Sequence, residues 1–364
     1  MQTLQVDLGL RSYPIYIGHQ ILSMVGPICH ERAIPSKVVI ITDRIVGKLY
    51  LAHVANSLKH HGFTVHTVTL PTGELQKSLG TANRIFTDLI KNRFGRSSAV
   101  AALGGGVIGD LAGFVAATYL RGVCFVQIPT TLLAQTDSSV GGKVGVNHPL
   151  AKNMIGAFYQ PNCVISDVDV LRTLPAREVI CGLGEVIKYS VIADAQLFDF
   201  INQHLDDFLQ LKPDILLTVI GRCCEIKAAL VSKDEFEKGE RIILNYGHTI
   251  GHALEAAGEY KVYKHGEAIL MGMWAENIIA HRRGFISDNA HQRVQQLLGR
   301  LLPLIPPSRI RTKDALSAMA IDKKTIDGKV RMVLPKKIGE VGVVEEISKD
   351  EVLSALKELP VSKS

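Results

Sequence analysis

The first 130 residues alternate between short apolar runs and longer segments with helical periodicity. Runs rich in apolar and β-branched residues lie at 37–43, 63–70, 98–103 and 123–129, and helical patterns separate them. Strands joined through helices run parallel, and the helices cover the apolar side chains on both faces of the sheet. The first half of the chain therefore predicts an α/β domain with a Rossmann-like parallel sheet.

The pattern changes after Pro175, where helical periodicity continues without intervening strands. Helices are predicted at 176–191, 194–208, 214–232, 246–257, 266–283 and 289–301, short strands at 328–335 and 338–347, and a last helix at 350–358. The sequence therefore predicts two domains, an α/β domain over 1–174 and a mostly α-helical C-terminal domain over 175–364. We expect the active site in the cleft between them, because small-molecule sites commonly lie between domains.

The charge of the chain favours a small anionic ligand over a polyanion. The 364 residues carry a net charge of +6, without a block of Lys and Arg interleaved with aromatic residues, so no nucleic-acid partner is predicted. Basic residues instead lie singly in apolar or Gly-rich segments, as at Lys143, Lys152, Lys188 and Lys227. One such lysine is usually a solvated surface residue, but several together favour a small anionic substrate.

Several features predict a cytoplasmic protein. The six cysteines form no C-x-x-C pair, which fits a reducing compartment. The N-terminus alternates like a strand and lacks the pattern of a signal peptide. The apolar segment at 98–120 contains five glycines and Asp110, a group that is costly in hydrocarbon, so we expect a buried strand, turn and helix there and no membrane contact.

A Gly-rich loop follows the predicted strand at 98–103. The segment reads LGGGVIGDLAG, and a helix N-terminus after such a turn offers free N–H groups to a phosphate. A Gly triplet after a strand is as often a simple tight turn, and Asp110 is either a first-turn charge or a group that faces a cofactor. Asp43 and the segment at 71–77 follow two other predicted strands. Together these turns predict a nucleotide bound at one edge of the sheet.

Three histidines and a carboxylate form a candidate metal site. His248 and His252 lie four residues apart on one helix, but Thr249 occupies the position where zinc proteases carry a catalytic Glu. Glu185, on another predicted helix, could join two histidines in a three-ligand site with an open position, as in catalytic zinc sites. The spacing nominates His248 and His252, yet His265 at a second helix start is an equal candidate.

The chain resembles the 3-dehydroquinate synthases, which belong to the sugar phosphate cyclases. The resemblance spans about residue 4 to 355, and the motifs that carry it, in order along the chain, are LGGGVIGDLAGFVAATYLRG, QIPTTLLAQTDSSVGGKVGVN, AKNMIGAFYQP, GLGEVIKY, NYGHTIGHALE and HGEAI. The resemblance implies conversion of 3-deoxy-D-arabino-heptulosonate 7-phosphate into 3-dehydroquinate and phosphate, in the shikimate route to aromatic amino acids. It also implies bound NAD, one zinc or cobalt ion, and a homodimer.

The resemblance implies a role for individual residues. The metal ligands match Glu185, His248 and His265, whereas His252 matches a residue that faces the substrate. The cofactor positions match Asp43, Thr72, Gly73, Glu74, Leu75, Gln76, Lys77, Gly106, Val107, Ile108, Gly109, Asp110, Thr130, Thr131, Lys143, Lys152, Val170, Leu171, Arg172 and Thr173. The catalytic and substrate positions match Arg121, Asp137, Lys143, Lys152, Asn153, Lys188, Lys227, Arg241, Asn245, His252 and one of Lys323 and Lys324.

The implied reaction sets requirements that these residues can meet. NAD accepts a hydride from carbon 5 of the sugar acid, the metal stabilises the alkoxide, and the new ketone allows β-elimination of phosphate. Hydride then returns, the ring opens, and an intramolecular aldol step closes the carbocycle. Arg and Lys suit the phosphate and carboxylate of this substrate. The elimination proton is expected to pass to the phosphate itself.

Three other functions compete with this interpretation. Another sugar phosphate cyclase, acting on glucose 6-phosphate or sedoheptulose 7-phosphate, would share the metal and NAD motifs. An NAD-dependent polyol dehydrogenase would build up NADH. A non-catalytic nucleotide-binding scaffold would leave several buried charges without use, which is costly.

Overall fold

The computed structural model of the chain describes residues 1–307, 312–321, 325–326 and 329–360. Within these ranges the chain divides into two units by its internal contacts. The first unit comprises Met1–Leu174 and Leu211–Phe236, and the second comprises Pro175–Gln210 and Glu237–Ser364. Lys323 and Lys324, which the resemblance placed near the substrate, lie outside the described residues.

The first unit is built on a seven-stranded sheet and a separate hairpin. Its strands are β1 (Gln2–Val6), β2 (Tyr13–Gly18), β3 (Lys37–Asp43), β4 (Thr64–Leu70), β5 (Ser98–Gly104), β6 (Cys124–Pro129), β7 (Lys143–His148), β8 (Ala151–Phe158) and β9 (Cys163–Asp167). The sheet order is β1-β2-β9-β6-β5-β3-β4, with β7 and β8 paired antiparallel outside it. Only the pairing of β1 with β2 is antiparallel in this sheet, so the predicted parallel α/β architecture is confirmed.

Helices cover this sheet because its strands are apolar on both faces. They are α1 (Val25–Glu31), α2 (Arg44–Val46), α3 (Ala52–His60), α4 (Leu79–Lys91) and α5 (Gly106–Thr118), and a π-helical turn over Gly47–Leu51 joins α2 to α3. Strands β3 and β5 are buried over nearly their whole length. The core between strands and helices includes Val39, Ile41, Ile85, Leu111 and Val115.

The main differences from the sequence prediction are β2, the β7–β8 hairpin and the placement of one helix. Helix α8 (Pro213–Lys233), which was predicted for the second domain, belongs to the first unit. It packs on β1 and β2, where its Ser232 hydroxyl accepts a hydrogen bond from the Asp7 backbone at 3.1 Å. Its buried face, which includes Val219 and Cys223, needs an apolar partner, and β1 and β2 supply one.

The second unit is mainly helical, as predicted. Its helices are α6 (Ala176–Ala193), α7 (Ala195–Leu209), α9 (His248–Ala257), α10 (His265–Arg282), α11 (Asp288–Leu301), α12 (Thr312–Ile321) and α13 (Lys349–Leu356), and its strands are β10 (Thr325–Ile326), β11 (Lys329–Lys337) and β12 (Glu340–Ile347). Helix α10 is buried on almost all sides and packs against α6, α9, α11 and α13. None of the helices in the described part of the chain combines the length and apolarity that a membrane crossing needs.

Candidate active site

Three helices of the second unit bring one carboxylate and two imidazoles together. Glu185 lies on α6, His248 begins α9 and His265 begins α10. The Nε2 atoms of His248 and His265 both lie 3.3 Å from Oε1 of Glu185. Glu185 is 1% exposed at its side chain, whereas His248 and His265 are 12% and 31% exposed. We call these three residues the triad.

Glycines at the helix contacts allow the triad to converge. A Cβ atom at Gly266 would lie 1.7 Å from the carbonyl oxygen of Cys181, so α10 meets α6 backbone to backbone. A Cβ atom at Gly272 would lie 2.0 Å from the carbonyl oxygen of Gly247, at the start of α9. Side chains at these positions would push the helices apart, and the ligand atoms would separate with them.

Each imidazole of the triad is held through its other ring nitrogen. Nδ1 of His248 lies 3.1 Å from the carbonyl oxygen of Tyr246, and Nδ1 of His265 lies 3.1 Å from Oε2 of Glu255. Both contacts suit a tautomer with the proton on Nδ1, which leaves Nε2 free to ligate. Glu276 holds the helix that carries His248, because its carboxylate accepts a hydrogen bond from the Gly247 backbone at 2.6 Å.

The three side chains of the triad shift one another's pKa values. Burial acts to raise the pKa of Glu185, but the charge of Lys188 and the contacts with His248 and His265 outweigh it and hold that pKa well below its usual range. Burial lowers the pKa of His248 against the pull of Glu185. Burial also opposes the charge on His265, but Glu185 and Glu255 raise its pKa to about 10. The two ring nitrogens of His265 thus lie between two carboxylates, those of Glu185 and Glu255.

The donor set of the triad fits a divalent metal. One carboxylate oxygen and two imidazole nitrogens are ligands that zinc and cobalt accept, and a three-residue set leaves a position open. Ligand atoms of all three residues lie within 4.8 Å of one another. His252, which helical spacing nominated, is exposed, and its ring centroid lies 5.2 Å from that of His248. The group of ligand atoms that includes Glu185 and His248 is completed by His265. The geometry therefore favours His265 over His252.

The other predicted residues of the second unit lie close to the triad in sequence. Lys188 is buried, forms an ion pair with Glu185 and lies 4.6 Å above the ring of Tyr189. Arg241 is 1% exposed, and Asn245 ends the same 3₁₀ segment, Glu240–Asn245, shortly before His248.

In the first unit, the predicted cofactor residues gather at the carboxyl ends of the strands. The chain runs from β3 outward to β4 and then returns to β5 on the other side of β3. The direction of winding therefore reverses between β3 and β5, and the carboxyl ends of strands at such a point are where open α/β sheets bind ligands. Asp43 ends β3, Gly104 ends β5, and Gly105 connects β5 to Gly106 at the start of α5. Oδ1 of Asp43 already accepts hydrogen bonds from Ile45 and Val46 at 2.8 and 3.1 Å as a helix cap.

A polar network joins several of these predicted residues. Lys77 pairs with Asp110 at 2.5 Å and also donates to Oδ1 of Asn153. Burial raises the pKa of Asp110, although Lys77 opposes this effect. Oε1 of Glu74 accepts a hydrogen bond from Asn147 at 2.7 Å, which ties the 72–77 segment to the β7–β8 hairpin. The residues of this network come from three distant stretches of sequence.

The predicted catalytic and substrate residues of the first unit do not all lie at the carboxyl ends of the strands. Nζ of Lys227, on α8, lies 2.7 Å from both Oδ1 and the carbonyl oxygen of Asp137. Lys143 and Lys152 lie on the β7–β8 hairpin. Arg121, however, follows the far end of α5, whose 13 residues span about 20 Å. The structure therefore does not bring Arg121 together with the strand-end residues.

The remaining cofactor candidates lie in turns after two strands. Thr130 follows β6, and its backbone donates to the carbonyl oxygen of Gly104 at 3.0 Å. The hydroxyl of Thr131 accepts a hydrogen bond from the Ala134 backbone at 3.2 Å. The 170–173 residues lie in a 3₁₀ turn, Val168–Thr173, after β9, where the hydroxyls of Thr173 and Tyr50 are 2.6 Å apart.

Sequence reasoning missed three residues that support the triad. Glu255, Glu276 and the carbonyl group of Tyr246 contact triad residues or the helix that carries one, yet no role was predicted for them. Two signals were available for Glu255: it ends the motif NYGHTIGHALE, and it lies seven residues after His248, which is two helical turns and therefore the same face of α9.

Comparisons with known proteins match nearly the whole chain. Two family models match adjoining segments, 3-dehydroquinate synthase N-terminal at residues 67–181 and 3-dehydroquinate synthase C-terminal at residues 182–325. A 3-dehydroquinate synthase from Desulforamulus reducens is 48% identical over 359 residues, which cover 98% of this chain and 100% of that protein.

Solved structures of related cyclases share the fold. A 2-deoxy-scyllo-inosose synthase, complexed with carbaglucose-6-phosphate, NAD+ and Co2+, superposes with a TM-score of 0.91 at 27% identity, covering 98% of this chain and 100% of that one. A 2-epi-5-epi-valiolone synthase from Streptomyces hygroscopicus subsp. jinggangensis, with NAD+ and Zn2+ bound, gives a TM-score of 0.86 at 28% identity, covering 99% of this chain and 98% of that one.

Proposed function

This chain belongs to the 3-dehydroquinate synthase family, and we propose that it converts 3-deoxy-D-arabino-heptulosonate 7-phosphate into 3-dehydroquinate and phosphate. The observation that carries this proposal is the 48% identity to a 3-dehydroquinate synthase along the full length of that protein. The triad supports it, because the proposed reaction needs a Lewis-acidic group and the triad offers ligands for one.

We propose that Glu185, His248 and His265 hold one zinc or cobalt ion. When bound, such an ion stabilises the alkoxide from which a hydride departs. Lys188 keeps Glu185 ionised through their ion pair, so the carboxylate is ready to ligate without losing a proton. The substrate-binding groups that we propose for this unit are Lys188, Arg241, Asn245 and His252.

In the first unit we propose that NAD binds at the carboxyl ends of β3 and β5. The amino end of α5 presents backbone N–H groups to the pyrophosphate, and the 72–77 segment borders the same edge. Lys152 and Asn153 bind the substrate phosphate in this proposal, because an ammonium group and an amide suit its oxygens. Lys227, oriented by Asp137, binds the carboxylate or a ring hydroxyl.

The proposed function is tested by product analysis. Purified protein is incubated with the seven-carbon phosphate, NAD and zinc, and dehydroquinate and inorganic phosphate are measured together. We expect equal amounts of both products and no net NADH, because the hydride returns to its original carbon. Accumulation of NADH with glycerol, without phosphate release, would indicate a polyol dehydrogenase instead.

The fold favours one further candidate, another sugar phosphate cyclase. Two such enzymes superpose on this chain with TM-scores of 0.91 and 0.86, although at only 27% and 28% identity. Glucose 6-phosphate and sedoheptulose 7-phosphate are therefore assayed beside the heptulosonate. If the protein converts one of these two sugar phosphates and does not convert the heptulosonate, it is another sugar phosphate cyclase.

We propose in addition that the protein is a cytoplasmic homodimer. All six cysteines have free thiols, which suits a reducing compartment. Light scattering of the purified protein tests the dimer, and a mass of one chain at assay concentrations would contradict it.

A further inference from the structure

We propose that Glu255 is a positioning residue that orients His265 and raises the affinity of the triad for its metal. This inference rests on the metal site of the proposed function and adds a residue to it. Glu255 is on α9, whereas the imidazole that it contacts begins α10, so the contact also connects these two helices.

The contacts of His265 form a continuous line through its ring. Nδ1 lies 3.1 Å from Oε2 of Glu255, and Nε2 lies 3.3 Å from Oε1 of Glu185. The side chain of Glu255 is only 9% exposed, so water competes little for its carboxylate. A buried carboxylate at this distance accepts the Nδ1 proton and fixes the plane of the ring, which directs Nε2 toward the ligand position.

The two imidazoles of the triad differ in what holds them. His248 donates to a neutral backbone carbonyl, that of Tyr246, at 3.1 Å. His265 contacts a carboxylate instead, and a carboxylate partner makes an imidazole a stronger ligand than a carbonyl does. His265 is also the more exposed of the two, at 31% against 12%, and packing restrains it less. The orientation of the His265 ring therefore depends more on a side-chain partner than that of the His248 ring does.

A second arrangement of the same groups would make Glu255 a ligand. His252, Glu255 and His265 also offer ligand atoms within 4.8 Å of one another. When Nε2 of His265 binds an ion in the triad, Nδ1 keeps the ring proton, and a protonated nitrogen cannot bind a second cation. His252 is moreover exposed to solvent. We therefore infer one ion per chain, with Glu255 outside its ligand set.

The test compares Glu255→Gln with Glu259→Gln in the full chain. Both changes replace one carboxylate by an amide, but Glu259 lies just past the end of α9, is 77% exposed and pairs with Lys261. Zinc affinity is measured by competition with a chelator, zinc content by elemental analysis, and folding by thermal unfolding of the metal-free protein. We expect Glu255→Gln to bind zinc about 10- to 100-fold more weakly, and the control to match the wild type.

Glu255→Asp is the second variant, because it keeps the carboxylate. If the acceptor charge is what matters, this variant recovers part of the lost affinity, and it does so even where the Gln variant folds poorly. Unchanged zinc affinity in Glu255→Gln would overturn the proposal. So would two zinc ions in the wild type and one in the variant, because Glu255 would then be a ligand. A wild type without stoichiometric zinc would instead overturn the proposed triad site itself.

Discussion

The substitution Gly272→Ala tests whether close helix contact builds the triad. A Cβ atom at this position would lie 2.0 Å from the carbonyl oxygen of Gly247, whereas real Cβ contacts stay above 3.0 Å. The contact is between two backbones, so no flexible side chain can yield. Helices α9 and α10 must therefore separate by about 1 Å, and His248, directly after Gly247, moves with α9.

The expected magnitude follows from a matched control, Gly299→Ala on α11. A Cβ atom there would meet only the Trp274 ring, at 3.7 Å, which is an ordinary contact. Both variants gain about 1 kcal/mol of helix propensity, but only Gly272→Ala incurs an overpacking cost of about 1–3 kcal/mol. That difference lowers the unfolding temperature of Gly272→Ala by about 2–4 °C per kcal/mol relative to the control.

The displacement also disturbs the metal site. Metal–ligand distances tolerate deviations of only about 0.2 Å, and a shift near 1 Å at a site costs about 100-fold in rate. Zinc affinity and turnover are therefore measured beside unfolding temperature, with Gly299→Ala as the reference. Equal unfolding temperatures and equal zinc affinity in the two variants would refute the argument, because the α9–α10 contact would then not set the ligand geometry.

Three further predictions concern other parts of the molecule. Glu185→Gln and His265→Ala should each lose bound zinc and activity while keeping the far-UV circular dichroism of the wild type, and elemental analysis decides between loss and retention. Lys152→Ala should raise KM for the phosphate substrate at least about tenfold if this ammonium binds phosphate, and unchanged kinetics would remove it from the site. Hydrogen bonds from Arg283 lower the pKa of Glu351 from 4.5 to about 2, so this pair stabilises the fold above pH 4.5 and is lost as pH falls toward 2. Urea unfolding between pH 7 and 3 should therefore show a shallower acid loss in Glu351→Gln than in the wild type.

Periodicity predicted most of the elements but not all of their partners. The helix predicted at 214–232 is present as α8, yet the pattern of its apolar face could not tell which apolar surface it meets. Strand β2 contains Pro14, a residue that weakens a strand prediction, although the strand is fully buried between β1 and β9. The hairpin β7–β8 is largely exposed along β8 and carries little apolar alternation.

In the candidate site, too, the sequence pattern predicted individual residues but not which residues contact one another. Helical spacing nominates His248 and His252 as a pair, because it describes one helix alone. The second imidazole beside Glu185 is instead that of His265, which lies on a different helix from His248. Only tertiary packing brings the two imidazoles together. The contact with Glu255 is equally invisible in one dimension, since an acidic residue two turns along a helix is commonplace.

The first unit has a consequence for synthesis, because the chain leaves it at Leu174 and returns to it at Leu211. The segment 175–210 emerges from the ribosome before α8 has been synthesised. The face of β1 and β2 that α8 covers therefore stays exposed until then. During that interval α6 and α7 have been made without α9 and α10, their later partners. The nascent chain thus carries two unfinished cores at once, and a gene cut after codon 174 would encode a sheet that lacks a covering helix.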